Sequence, residues 1–136
     1  MSNLTRTALA IDVELLERFN EWMAAHGYTN RSEAVRDLIR SALVEAEWQD
    51  PQAQVVAVLS IIYDHAARAL AQELTTIQHR DHHAVLCSQH VHLDKHLCLE
   101  AIVMQGTACQ VRRMADTVVS THGVKAGKLT LLSRHI

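Results

Sequence analysis

Residues 79–100, HRDHHAVLCSQHVHLDKHLCLE, hold the side chains best suited to chemistry. Six of the ten histidines fall between His79 and His96, and Cys98 follows two residues later. The run Val85–Leu93 predicts a strand, in which residues i and i+2 point to the same face, so His90 and His92 project side by side. The polar stop Asp94-Lys95-His96 predicts a chain reversal that returns Cys98 on a neighbouring strand close to His92. Two imidazoles and a thiolate then converge on one side of a hairpin. Such donors suit late first-row divalent metals, whereas magnesium and calcium prefer oxygen. One histidine on a strand is ordinarily just a solvated side chain; it is His-x-His with a cysteine six residues later that points to a metal. A fourth donor is needed, and His79, His82, His83 and His96 are candidates. Cys87 alternates away from His90 and His92 and is expected in a core, and Cys109 is expected on a helix.

The elements that must position these donors can be read on either side. Val55–Tyr63 is a continuous apolar run suited to a buried strand, and His65–Gln78 carries Ala66, Leu70, Leu74 and Ile77 at helical spacing. The strands Val85–Leu93 and Leu97–Gln105 form the hairpin. Thr107 predicts the cap of a helix bearing Val111, Met114, Val118 and Val119 that stops at Gly123, and Lys128–Leu132 predicts a last strand. The order βαββαβ implies an α+β, ferredoxin-like sandwich over residues 55–136, with two helices on one face of a four-stranded sheet.

Ahead of it, residues 1–48 read as a separate domain. Thr5–Ile11 alternates, predicting a short strand with one buried face. Asp12 caps a helix carrying Leu15, Leu16, Phe19, Trp22 and Met23, which ends at Gly27. A second helix starts from Asn30-Arg31-Ser32-Glu33 and buries Val35, Leu38, Ile39, Ala42 and Leu43. One strand and two helices cannot close a core, and a lone strand leaves both edges unpaired. A two-fold dimer in which the strand pairs with its copy resolves both problems. It would display Arg6, Ala8 and Ala10 on an outward ribbon of a kind that fits the major groove of DNA. Residues 49–54, with the only proline at Pro51, read as a linker.

Composition narrows the classes. A hydrophobic share of 49% supports a folded core. Three cysteines without framework spacing fit free thiols or metal ligands in a reducing compartment rather than disulfides. Neither a long apolar span nor a secretory leader is evident, so no membrane association and a cytoplasmic location are expected. The formal net charge is −2, and residues 1–50 carry 5 basic against 9 acidic side chains. Any DNA binding must therefore lean on local geometry, on a helix N-terminus facing phosphate and on oligomerisation rather than on the bulk field. There is no His-Glu-x-x-His helix and no nucleophile–base pairing, so an enzyme is not expected.

Arg6 to Ala42, centred on Gly27-Tyr28-Thr29-Asn30-Arg31-Ser32-Glu33-Ala34-Val35-Arg36-Asp37, resembles the ribbon-helix-helix regulators. Together with the later His and Cys pattern, the likeness over about residues 6–133 is to the nickel-responsive repressors of that superfamily. The resemblance selects His79, eleven residues before His-x-His, as the fourth donor, beside His90, His92 and Cys98 of the Cys98-Leu99-Glu100 triplet. It implies a square-planar Ni(2+) site to which His79 comes from a neighbouring subunit, and an ACT-like regulatory domain that builds a homotetramer, a dimer of dimers. Glu100 would hold an imidazole in place rather than ligate. The resemblance further implies double-stranded operator DNA as partner and repression of nickel uptake. Arg6 would read a base edge, Asn30, Arg31 and Ser32 would lie near phosphate, and Arg68 would touch the DNA backbone. Glu33 and Asp37 would form an auxiliary cation site. Ala8 and Ala10 depart from the hydroxyl side chains usual on the ribbon and so leave the operator open. The same architecture sensing copper, cobalt or zinc, or acting on another operator, is the alternative reading.

Overall fold

The computed structural model describes residues 4–135, and the chain divides into two compact units whose boundary falls between Ile39 and Arg40. In the first unit, helix α1 (Val13–Ala25) starts where the Asp12 carboxylate accepts the backbone N–H of Leu15 at 2.8 Å. It ends before Gly27, which takes φ +75°, a left-handed conformation open to glycine without a side-chain penalty. Helix α2 (Arg31–Glu47) begins under Asn30, whose side-chain oxygen accepts from Ser32 N at 2.9 Å. Two further contacts tie the unit together. Arg31 Nε donates to Asn20 Oδ1 at 3.1 Å, and the Tyr28 hydroxyl donates to Asp37 Oδ2 at 2.9 Å.

The strand expected over Thr5–Ile11 is not formed; the described residues ahead of α1 have no regular structure. A strand needs a partner for its N–H and C=O groups, and this segment finds none among the described residues. Leu9 and Val13 stand 66% and 73% exposed, and Leu15, Leu38, Ile39 and Leu43 are also exposed. The predicted apolar stripes are thus present but lie open in the single chain.

The second unit is the expected sandwich. After the end of α2 come β1 (Gln54–Asp64), α3 (Arg68–Arg80), β2 (Val85–His92), β3 (Leu97–Thr107), α4 (Ala108–Val119) and β4 (Val124–Leu132). All neighbours pair antiparallel in the order β2-β3-β1-β4. Strand β1 alternates strictly: Val55, Ala57, Leu59, Ile61 and Tyr63 are buried, while their neighbours are half-exposed. That inner face packs in one cluster with Leu70, Leu74 and Ile77 of α3 and with Val111, Met114 and Val118 of α4. Both helices therefore cover the same side of the sheet.

Differences from expectation lie at the ends of elements. Helix α3 starts three residues later than expected, because Asp64 Oδ1 instead accepts from Ala66 N and holds a turn there. Strand β4 starts four residues earlier, since pairing with β1 carries Val124–Gly127 into the sheet despite their weak strand composition. At Gly127 an added Cβ would lie 2.5 Å from Val119 Cγ2, so any side chain there would have to displace Val119. The capping box at α4 is complete: Thr107 accepts from Gln110 N, and the Gln110 side chain accepts from Thr107 N.

Candidate metal centre

The hairpin reversal falls where the sequence places it. Asp94 Oδ1 accepts from both His96 N and Leu97 N at 2.7 Å, and these backbone donors hold its carboxyl below the ordinary range. With the turn set, register does the rest. His92 of β2 lies opposite Cys98 of β3, which lies opposite Tyr63 of β1. The next row on that face is His90, Glu100 and Ile61. Strand parity thus puts both imidazoles, the thiol and the Glu100 carboxylate on the helix-covered face of adjacent strands.

Cys98 is fully buried, and burial pushes its thiol above the ordinary range. Its Sγ–H donates to the Tyr63 carbonyl oxygen at 3.6 Å. His90 and His92 lie at the exposed edge strand with ring centroids 5.4 Å apart. The half-buried His65, whose Nε2 is enclosed without a hydrogen-bond partner, meets His92 edge-on at 4.5 Å. Among the described residues no group of three or more His, Cys, Asp or Glu side chains is drawn tightly enough to hold an ion. The donors are neighbours by register but not yet a cage. Two imidazoles and a sulfur are nevertheless a donor set that fits a late transition metal, and the orphaned His65 nitrogen marks polar capacity left unused beside it.

Behind His90 runs a hydrogen-bonded relay. Tyr63 Oη donates to Glu100 Oε2 at 3.1 Å and lies 3.3 Å from His90 Nδ1, with its ring edge-on to the imidazole. A carboxylate only accepts, so the phenol proton faces Glu100 and the neutral His90 must carry its own proton on Nδ1. The lone pair of His90 Nε2 is then free for a metal, the arrangement in which an outer carboxylate fixes the tautomer of a ligating imidazole. Burial, and then the nearby Glu100, hold the Tyr63 phenol far above its ordinary range. The second carboxylate oxygen, Glu100 Oε1, accepts from Gln78 Nε2 of α3 at 2.7 Å. Glu100 therefore has both carboxylate oxygens engaged in hydrogen bonds.

The remaining predicted residues are placed as follows. His79 lies exposed in the last turn of α3, beside buried Gln78. His82 and His83 lie with ring centroids 3.8 Å apart and planes tilted by 42° in the loop after α3, and His96 lies in the hairpin turn. Cys109 is on α4 as expected. Cys87 is a correction: it does face away from His90 and His92, opposite Val103, but it is exposed rather than in the core. Neither α3 nor α4 covers its face of the sheet, so parity is right while the burial inferred from it is not. Arg68 opens α3, and Arg6, Ala8 and Ala10 are exposed ahead of α1. Glu33 and Asp37 are one turn apart on α2, where Asp37 accepts the Tyr28 hydroxyl and thereby raises its pKa. The sequence reading missed Tyr63, His65 and Gln78. A signal existed for Gln78, a polar residue four positions after Leu74 on the buried stripe of α3.

The C-terminal unit matches, over residues 56–132, the family described as the NikR C terminal nickel binding domain. Relatives described as nickel-responsive regulators include one from Solibacter usitatus, 50% identical over 131 residues that cover 96% of this chain and 94% of its own. Another, from Solidesulfovibrio magneticus, is 46% identical over the same shares of both chains. Among solved structures, an uncharacterized protein from Thermotoga maritima superposes with a TM-score of 0.53 at 11% identity, over 59% of this chain and 99% of its own. That likeness shows the fold alone.

Proposed function

The chain belongs to the family of nickel-responsive regulators and its metal is Ni(2+), and from that premise we propose that it is a sequence-specific DNA-binding repressor whose hold on its operator depends on nickel. The observation that carries the reading is the pair of rows across β2, β3 and β1. They line up His90, His92 and Cys98 on one face and fix the tautomer of His90 through Tyr63 and Glu100. His79, exposed in the last turn of α3, is the fourth donor and reaches the site of a neighbouring protomer. Ni(2+) held by these residues would supply a link between the donors of two protomers. Everything else is done by the chain: the hairpin presents the trio, Glu100 and Tyr63 orient it, and the last turn of α3 presents His79.

The working form is a homotetramer, a dimer of dimers. The exposed apolar residues of α1, α2 and the segment ahead of them call for a second copy, and pairing of residues 5–11 with their copy would give the missing strand its partner. The resulting ribbon presents Arg6, Ala8 and Ala10 to the major groove of double-stranded DNA. Asn30, Arg31 and Ser32 stand near phosphate at the start of α2, and Arg68 stands at the start of α3. Glu33 and Asp37 are the candidate auxiliary cation site. A donor shared between protomers makes metal binding and protomer arrangement one equilibrium, which can bias the spacing of the DNA-binding ribbons. Such a protein works in the cytoplasm, on promoters of nickel uptake genes, and with four protein donors it offers no open metal position for catalysis. No helix among the described residues is long and apolar enough to cross a membrane.

The test is metal-dependent selection of operators from random DNA, followed by footprinting of the selected inverted repeat. Protection that requires nickel and disappears in His90→Ala is expected. Equal protection with and without the ion overturns the reading.

A further inference from the structure

A groove of about 850 Å³ runs beside α4 and is walled on its other side by the segment between α2 and β1. Trp48 and Pro51 line it from that segment, and Cys109, Arg112, Arg113 and Thr117 line it from the helix. None of His90, His92 and Cys98 borders it. Its walls are pinned together. Ala108 N donates to Ala53 O at 2.9 Å, Cys109 N donates to Pro51 O at 3.0 Å, and the buried Trp48 donates from Nε1 to Leu132 O at 3.1 Å. The groove is therefore preformed, and its size suits a small organic molecule. Its cations are placed unusually. Arginines on an exposed helix ordinarily extend into water or pair with a carboxylate one turn away. Arg112 instead lies over the Trp48 ring, 5.2 Å from its centroid, and Arg113 turns towards Cys109, with Nη2 3.9 Å from Sγ. Asp116 is one turn further along the helix, yet among the described residues no ion pair joins it to either arginine. The hydroxyls of Thr117 and Ser120 already donate to the backbone, at 2.9 Å to Arg113 O and at 3.2 Å to Thr117 O. The charged donors left open to a ligand are those of the two guanidiniums.

We propose that this groove is a binding site for a phosphomonoester, its dianionic head held by Arg112 and Arg113 and its organic body laid against Trp48, Pro51 and Ala108. Guanidinium forks match the oxygens of phosphate, which only accept when the group is fully ionised. A phosphate head has oxygens for both forks, whereas a single carboxylate is used up by one. A bare phosphate would leave most of the groove to water, and the apolar walls call for an organic body. The whole chain carries a formal net charge of −2, so an anion is drawn here by these two side chains and not by the general field. The site is separate from the nickel centre and does not depend on the reading of DNA binding. An occupant fastens α4 to the segment that follows α2, and because the unfolded chain has no such groove it also stabilises the fold.

The experiment uses the full-length protein and two probes that share a head, inorganic phosphate and phenyl phosphate, at constant ionic strength. Calorimetric titration of the unaltered chain measures binding. In a Trp22→Phe background Trp48 is the only indole left, so its emission reports whether binding occurs at the groove. Phenyl phosphate is expected to shift that emission and to bind about tenfold more tightly than inorganic phosphate, because its ring covers apolar wall. Arg112→Gln and Arg113→Gln should each weaken its binding by about tenfold or more. Phenylacetate, with the same ring and a carboxylate head, should bind more weakly than phenyl phosphate. Absence of both heat and a Trp48 response at millimolar phenyl phosphate overturns the site, as do arginine variants that bind like the wild type. Tighter binding of phenylacetate overturns the assignment to phosphate. Should Trp22→Phe not fold, calorimetry of the two arginine variants decides alone. Complete displacement of phenyl phosphate by a random-sequence duplex at equal phosphate concentration also overturns the proposal, since the two arginines would then serve a nucleic-acid backbone.

Discussion

Replacing Tyr63 by Phe isolates the hydroxyl at the centre of the relay, since the ring packing against His90 and the buried row is kept. The change strips Glu100 Oε2 of its donor at 3.1 Å in a residue that is only 6% exposed. Hydrogen bonds to charged groups contribute about 1.5–3 kcal/mol net, and an unsatisfied buried acceptor carries a desolvation cost of similar size. Against this, the variant no longer has to bury a phenol hydroxyl, so the lower half of that range is expected. For an unfolding slope of about 1–3 kcal/mol/M in urea, the midpoint of the metal-free protein should fall by roughly 1 M, with the slope unchanged. Protomer concentration must be held fixed, because an oligomer's stability depends on it. The same deletion frees the tautomer of His90, and outer-shell losses of this kind weaken metal binding by about 10–100-fold. Urea unfolding and competitive nickel titration read the two effects independently. If the midpoint matches the wild type, water or another donor has replaced the hydroxyl at Glu100. If nickel affinity is also unchanged, the relay does not orient His90, and the argument for its tautomer fails.

Cys98→Ala should abolish the sulfur-to-nickel absorption while leaving the far-ultraviolet dichroism of the sandwich in place; a retained band would remove Cys98 from the site. Gly127→Ala forces a Cβ to within 2.5 Å of Val119 Cγ2 and 3.4 Å of Ile61 Cγ2, and should lower stability by about 1–3 kcal/mol in thermal or urea unfolding. Alkaline pH should destabilise the metal-free protein. Burial is the first cause that holds both the Cys98 thiol and the Tyr63 phenol above their ordinary 9.0 and 10.0, so the native state keeps these protons longer than the unfolded chain. Their stabilising contribution is complete below the unfolded values and is lost as pH rises through the folded ones, which a urea series from neutral to alkaline pH measures. Nickel affinity should rise with pH over the neutral range, because Cys98 must release its proton to ligate. Arg6→Ala should cost about 1–3 kcal/mol of discrimination at one operator position, read by binding to single-base variants of the site.

Periodicity made most of the sandwich readable from the chain. The alternation of β1, the capping box at Thr107 and the His-x-His parity are local patterns, and each is found where the pattern puts it. Cross-strand neighbours were also legible, since the short Asp94 turn leaves only one register for His92 and Cys98. What could not be read was contact between elements distant in sequence. Tyr63 and Glu100 are 37 positions apart, and Gln78 and Glu100 are 22 apart. Their bonds depend on how α3 lies over the sheet, which periodicity does not specify. Cys87 shows the opposite limit: parity fixed its side of the sheet, yet burial depended on whether that side is covered, and in the single chain it is not.

The two places where the single chain falls short of expectation have one physical origin. The segment 5–11 forms no strand because its hydrogen-bonding groups need a partner strand, and the hairpin donors, neighbours by register, are not drawn into a cage among the described residues. On the proposed function, in both cases the local sequence specifies half of a structure and leaves the complementary half to another copy. In the proposed assembly the N-terminal half would be completed by apolar surface and backbone pairing, which nickel does not influence directly. The C-terminal half would be completed there by a metal bond, which exists only when the ion is present. An assembly held by one unconditional and one conditional interface has a fixed dimer and an adjustable dimer-of-dimers, and that division is what a ligand-controlled reader of two DNA half-sites requires. It follows that removing nickel should leave a DNA-binding dimer intact while loosening the arrangement of the pair. If chelation instead dissociated the protein to monomers, the unconditional interface would be lost, and the division of labour between the two units with it.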